Sequence, residues 1–146
     1  MEILIITGRY FFAIAIIGLG IEHFIFQDFI IGRAPAWPDS IPGKLVWAYL
    51  SGVIFILIGL AILLRIKVRL VSVLAGTLIF LWALLRHIPV IASDTFLSGA
   101  WTSAGKALTF IGGFLVIAAV APREETFRAP RSLLQFINLE NELIIL

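Results

Sequence analysis

Gly18-Leu19-Gly20-Ile21-Glu22-His23-Phe24 closes an apolar run that begins at Ile3, and the length of that run decides what kind of chain this is. Before Glu22 and His23 the only charge in the run is Arg9. A helix of about 20 apolar residues crosses a hydrocarbon core of ~30 Å, so the stretch 3–24 reads as one membrane span. Three further runs match it, at about 45–64, 68–87 and 102–121. Each is apolar all round, whereas a surface helix of a soluble domain carries an apolar stripe opposite a charged one. Backbone groups in lipid must be paired within the segment, which leaves helix as the form for runs of this length. The sequence therefore predicts an all-α membrane protein: a four-transmembrane-helix bundle over residues 1–122, followed by a tail over 123–146.

Composition agrees. Of 146 residues 61% are hydrophobic and 14% charged, and the mean hydropathy is +1.09. A soluble domain carries far more charge, so the expected surroundings are a lipid bilayer. The net charge of +2 comes from basic residues spread among connections rather than gathered into a patch, which gives no footprint for nucleic acid. Without cysteine the chain has no disulfide, Cys-based zinc site or thiolate chemistry. Glu2 stands where a signal peptide would carry a basic residue, and no small-residue cleavage site follows, so the first span is expected to be retained.

The basic residues also predict orientation. Arg65, Lys67 and Arg69 crowd the turn between the second and third spans, and Arg123, Arg128 and Arg131 follow the fourth. Arg33, Lys44 and Arg86 on the other side are diluted by Asp28, Asp39 and Asp94. Both termini are thus expected in the cytoplasm. In the tail, Leu133, Leu134, Phe136 and Ile137 have the spacing of an interfacial amphipathic helix; a frayed terminus is the alternative.

Small residues let helices approach closely in lipid. Such stripes run through Gly8, Ala15, Gly18 and Glu22 in the first span, Gly52 and Gly59 in the second, Ser72, Gly76, Ala83 and His87 in the third, and Gly105, Thr109, Gly112 and Ala119 in the fourth. If these stripes face inward, Glu22 and His87 meet at one depth, near the outer face. Glu22, His23, Arg86, His87 and Lys106 then form a candidate polar pocket, with Trp37 and Trp101 beside it. Lys106 would lie about one turn inside the fourth span, with Glu22 as a counter-ion; Arg86 is the alternative partner for Glu22, its planar fork suiting a carboxylate better. The bland readings are concrete: Arg86 and Lys106 snorkel to water, the tryptophans form an interfacial belt, and Arg9 snorkels at the opposite end. Two histidines and one glutamate without an i, i+4 pair make a thin metal or haem site, and no metal is expected. Phosphate-loop, dinucleotide-fold and nucleophile-elbow motifs are absent.

The order of features resembles the DoxX-like family of small four-helix integral membrane proteins. The resemblance rests on Gly8-Arg9, Gly20-Ile21-Glu22-His23-Phe24, Pro35-Ala36-Trp37-Pro38, Tyr49-Leu50-Ser51-Gly52, His87-Ile88-Pro89, and Trp101-Thr102 with Lys106 and Gly112-Gly113. It covers about Ile3 to Pro122 and rests on many weak features rather than one strict motif. It implies a multi-pass protein of a bacterial inner membrane, with family members linked to thiosulfate:quinone oxidoreduction, to redox complexes and, in eukaryotic relatives, to assembly. Two functions follow as expectations. One is a membrane subunit whose outer-facing polar pocket takes a quinone or another small amphipathic ligand. The other is a non-catalytic scaffold that holds partner proteins through its helices, which would need a small-residue stripe pointing out of the bundle. A transporter fits less well, since no span is broken near the midplane.

Overall fold

The computed structural model describes residues 2–29, 37–38, 40–96 and 98–122. Four helices make up most of these: α1 (Glu2–Phe26), α2 (Lys44–Leu63), α3 (Val68–Ser93) and α4 (Ser98–Val120). Arg33, Pro35, Asp39 and the whole tail with its expected amphipathic helix lie outside the described residues. The shortest helix, α2 with 20 residues, is already ~30 Å long at 1.5 Å per residue. All four are long and apolar enough to cross a membrane. Their outer surfaces are apolar too: Phe11 and Leu85 are each 71% exposed. Such a surface is soluble in acyl chains and not in water.

Two helix boundaries depart from expectation. The third helix continues through Pro89 to Ser93 instead of ending near residue 87. A proline there removes one N–H, the bond to the carbonyl four residues back, without breaking a helix held by its neighbours. The fourth begins at Ser98 rather than 102, so Lys106 stands about two turns inside it instead of one. Between α2 and α3 the chain turns tightly through Arg65 and Lys67, both left-handed. The amides of Leu64 and Ile66 reach back to the Leu60 and Ala61 carbonyls at 2.8 Å each, satisfying the open end of α2.

The bundle is two antiparallel hairpins. Contact is dense between α1 and α2 and between α3 and α4, sparse between α2 and α3, and sparser still between α1 and α4. In the first hairpin backbone meets backbone. A Cβ on Gly20 would stand 2.7 Å from the Gly52 carbonyl oxygen, and one on Gly59 would stand 2.8 Å from that of Ala13. The hairpins lock together toward the terminal end, where Ile16, Ile62 and Phe114 are fully buried. Phe12 lies edge-on to Phe114, ring centroids 4.9 Å apart, and Gly113 leaves room for the Phe12 ring.

The inward faces are not all those the small-residue stripes suggested. Gly52 and Gly59 in α2, and Ser72, Gly76 and His87 in α3, are buried as expected. In α1 the packed face is Arg9, Ala13, Ile16, Gly20 and His23. Gly8 and Ala15 are exposed, and Gly18 and Glu22 are only half-buried. In α4 the expected stripe of Gly105, Thr109, Gly112 and Ala119 is exposed, while Ala100, Ser103, Ala107 and Phe114 pack inward. Successive residues on a helix differ by about 100°, so choosing Gly18 over Gly20 turns the helix around. One consequence is that His23, not Glu22, shares the interior with His87. Another concerns Arg9, expected to snorkel: it is 9% exposed, on the same face as Ala13 and Ile16, with its guanidinium 5.5 Å from the Tyr10 ring centroid.

This packing makes two glycines unequal. Gly59→Val should destabilise the protein by about 1–3 kcal/mol, because the new methyls have backbone on one side and Ile17 on the other. Gly18→Val should cost little, since no described atom lies within 4 Å of the added Cβ. Unfolding in detergent, followed by circular dichroism, distinguishes them; equal melting of the two variants would contradict the backbone contact.

Candidate functional site

Where the hairpins separate, toward the end carrying the 27–43 and 94–97 connections, they enclose a cavity of about 210 Å³. All four helices line it. Its wall is mostly apolar and aromatic, with Leu19, Phe55, Ile79, Trp82 and Phe110 among its residues. Few polar side chains reach it: His23, Ser51, His87 and Lys106. Ser51 is satisfied, donating from Oγ to the Trp47 carbonyl at 2.9 Å.

The two imidazoles are in different states of satisfaction. His23, in the last turn of α1, is 5% exposed, and its Nδ1 lies 2.7 Å from the Leu19 carbonyl oxygen. A carbonyl only accepts, so Nδ1 carries the proton and a neutral ring keeps its lone pair on Nε2. Phe29 meets this imidazole edge-on at 5.9 Å, and Phe55 lies 5.7 Å from it. These rings fix its orientation. His87, on α3, is 4% exposed, and its Nδ1 is buried with no hydrogen-bond partner among the described residues. Leaving such an atom unpaired costs about 1–3 kcal/mol. His87 lines the cavity, while this nitrogen itself is buried within the protein.

An aromatic stack covers the cavity. Trp37 lies parallel to Phe29 at 5.1 Å, and within 6.5 Å of both Trp47 and Trp82; Phe29, Trp47 and Trp82 themselves line the cavity. The Arg86 guanidinium sits 5.2 Å from the Trp37 ring centroid. Trp37 is anchored from behind, its Nε1 donating to the Ile41 carbonyl at 2.7 Å. An ion pair of 2.6 Å between Lys44 and Asp28 joins the start of α2 to the segment after α1, and the same carboxylate accepts from the Phe29 amide. The pieces that hold this cover thus come from both ends of the first connection.

The sequence candidates fall into three groups. His23, His87 and Lys106 line the cavity, while Trp37 and Arg86 belong to the stack above it. Glu22 instead lies on a shallower groove between α1 and α4, which Lys106 also borders. Trp101 stands apart, 54% exposed, donating to the Thr95 carbonyl at 2.9 Å. Sequence reasoning overlooked Phe29, Phe55 and Trp82. Helical spacing could have found Trp82, which is four residues before Arg86 and five before His87. Nothing in the sequence marks Phe29, which follows the end of α1. Among the described residues no three of His, Cys, Asp or Glu come together as a metal site. No protein family matches the chain, and no curated protein or solved structure is significantly similar to it.

The stack makes Trp37 and Trp101 distinguishable by mutation. Trp37→Ala should destabilise by about 0.5–1.5 kcal/mol for each aromatic pair it ends, and should shift tryptophan emission as Trp47 and Trp82 lose their neighbour. Trp101→Ala should leave the melting temperature nearly unchanged. Thermal melts with emission spectra test both; an unchanged Trp37→Ala melt would remove the stack from the cavity's support.

Proposed function

We propose that this membrane protein binds a small amphipathic molecule, a ring bearing carbonyl or hydroxyl oxygens, in the cavity between its two hairpins. A quinone or quinol is the ligand class that fits best. The observation that carries this reading is an aromatic cavity lined by two buried imidazoles. Binding sites for small molecules are mostly apolar with a few convergent polar groups, and this cavity has that make-up. A cavity of ~150 Å³ accepts a benzene, so about 210 Å³ suits a single substituted ring.

In this reading His23 Nε2 accepts a proton from a ligand hydroxyl or, once protonated, donates to a carbonyl. The His87 imidazole engages the ligand's other polar atom, and the Lys106 ammonium favours negative charge developing on an oxygen. Reducing a quinone to a quinol takes two electrons and two protons. The imidazoles would pass the protons, and the electrons would come from a redox partner in a membrane complex. The basic turn at Arg65, Lys67 and Arg69 favours placing the opposite, cavity end outside the cytoplasm. The DoxX-like resemblance carries the same reading, and with it the bacterial inner membrane.

A second reading has its own support. The exposed small residues Gly8, Ala15, Gly105, Thr109, Gly112 and Ala119 are the outward-facing feature a helix-binding scaffold needs. The scaffold reading expects partner proteins to co-purify and no quinone to bind.

Quinone titration of the purified chain, read by quenching of Trp47 and Trp82 emission, separates the two. Wild type should show saturable quenching. His87→Ala and His23→Ala should each weaken binding by about five- to a hundredfold, the worth of one buried hydrogen bond, in protein that still folds but melts at a lower temperature, since each truncates a buried ring. Glu22→Gln, outside the cavity, should have the smaller effect. Absence of saturable quenching in the wild type would end the ligand reading, as would equal affinity in wild type and both histidine variants.

A further inference from the structure

We infer that the ligand enters sideways from the acyl-chain region, between α1 and α4, and that its apolar tail remains in that seam while its ring occupies the cavity. The inference rests on the ring-binding reading above and adds the route and the tail.

Size gives the first reason. Pockets that take whole drug-sized ligands measure about 300–1,000 Å³, and the cavity offers about 210 Å³. It holds a ring and leaves any tail outside. The aromatic stack covers the cavity toward the first connection, and the locked core of Ile16, Ile62 and Phe114 closes it toward the terminal end. The seam between α1 and α4 is the most sparsely packed of the four helix contacts.

That seam has a second hollow on it. A groove of about 330 Å³ is lined by Ala15, Gly18, Leu19, Glu22, Lys106 and Phe110. Leu19, Lys106 and Phe110 also line the inner cavity. Those three side chains are therefore the partition between groove and cavity. On the α1 side the groove is kept open by Ala15 and Gly18; a Cβ added to Gly18 would find no described atom within 4 Å. The groove is graded along its length. Glu22 stands toward the connection end, Lys106 lies about two turns inside α4, and Ala15 and Gly18 run toward the middle of α1. An amphipath lying there would keep its polar part near the charges and its tail toward the bilayer centre. Leu19 and Phe110 are partly buried side chains at the edge of the core, so a ring passes between them at the cost of rotamer changes and some lost packing.

The test uses the full chain in lipid nanodiscs with two probes, a quinone carrying an isoprenoid or decyl tail and the same ring without a tail. Gly18→Phe should weaken the tailed quinone by about tenfold or more, the worth of roughly two buried methylenes, and should leave the tail-less ring unchanged. Ala15→Phe, which borders the same groove, should act alike and serves if Gly18→Phe does not fold. In the wild type, a photoreactive group at the tail end should label residues of α1 and α4. Unchanged binding of both probes in the folded variants, or labelling confined to α2 or α3, would overturn the route. So would a co-purifying protein that Gly18→Phe releases without altering quinone binding, which would give the seam to a partner helix. If neither probe binds the wild type, the ring-binding reading itself fails.

Discussion

Backbone against backbone in the first hairpin is the contact on which the remaining geometry depends. In lipid the outside of a helix is as apolar as its inside, so helices associate through close packing and hydrogen bonds rather than by escaping solvent. Gly20, Gly52 and Gly59 bring α1 and α2 to a separation at which a single added methyl meets a carbonyl oxygen. The approach fixes the rotation of α1 about its axis. That rotation carries His23 inward and Glu22 around to the seam, although the two are neighbours in sequence.

A tight hairpin cannot also pack tightly on everything else. The second hairpin meets it through large side chains, Phe12 on Phe114 above all, most closely toward the terminal end. Toward the other end the bulk is supplied by aromatic rings of the first connection. The cavity is the space left between two rigid pairs that touch at one end and are covered by rings at the other. Its walls belong to well-packed helices, so side chains such as His23 are held in place before any ligand arrives. Preformed sites of this kind lose little to reorganisation when they are filled.

How much of this was legible in the sequence follows from what lipid does to sequence signals. The four spans were legible because length and hydropathy are set by the bilayer, and the helix ends differ from expectation by six residues at most. The inward faces of α2 and α3 were legible because each has one small-residue stripe. In α1 and α4 two stripes compete, through Gly18 or Gly20 and through Gly112 or Gly113. Hydropathy does not decide between them, since lipid and protein interior demand the same residues. Burying Arg9 on the Gly20 face ran against the expectation that a charge near a span's end reaches outward. Span topology put His23, His87 and Lys106 toward one end of the bundle, but the small-residue period turned Glu22 inward where the structure turns His23. Phe29, which orients His23 and stacks on Trp37, was not, because an irregular connection has no period to read.

The separation of Glu22 from His23 bears on what the cavity suits. A carboxylate beside His87 would favour an imidazolium and make the interior a site for ions. With Glu22 turned to the seam, the buried groups facing the cavity are imidazoles and rings, and the ammonium of Lys106 stands at the partition. A neutral molecule with polar oxygens loses little on entering such a space, whereas an ion would leave water or headgroups with weak replacement for its hydration. The carboxylate is kept on the outer groove and the imidazoles are kept inside, an arrangement that the proposed ligand would use. The rotation of α1 about its axis produces both.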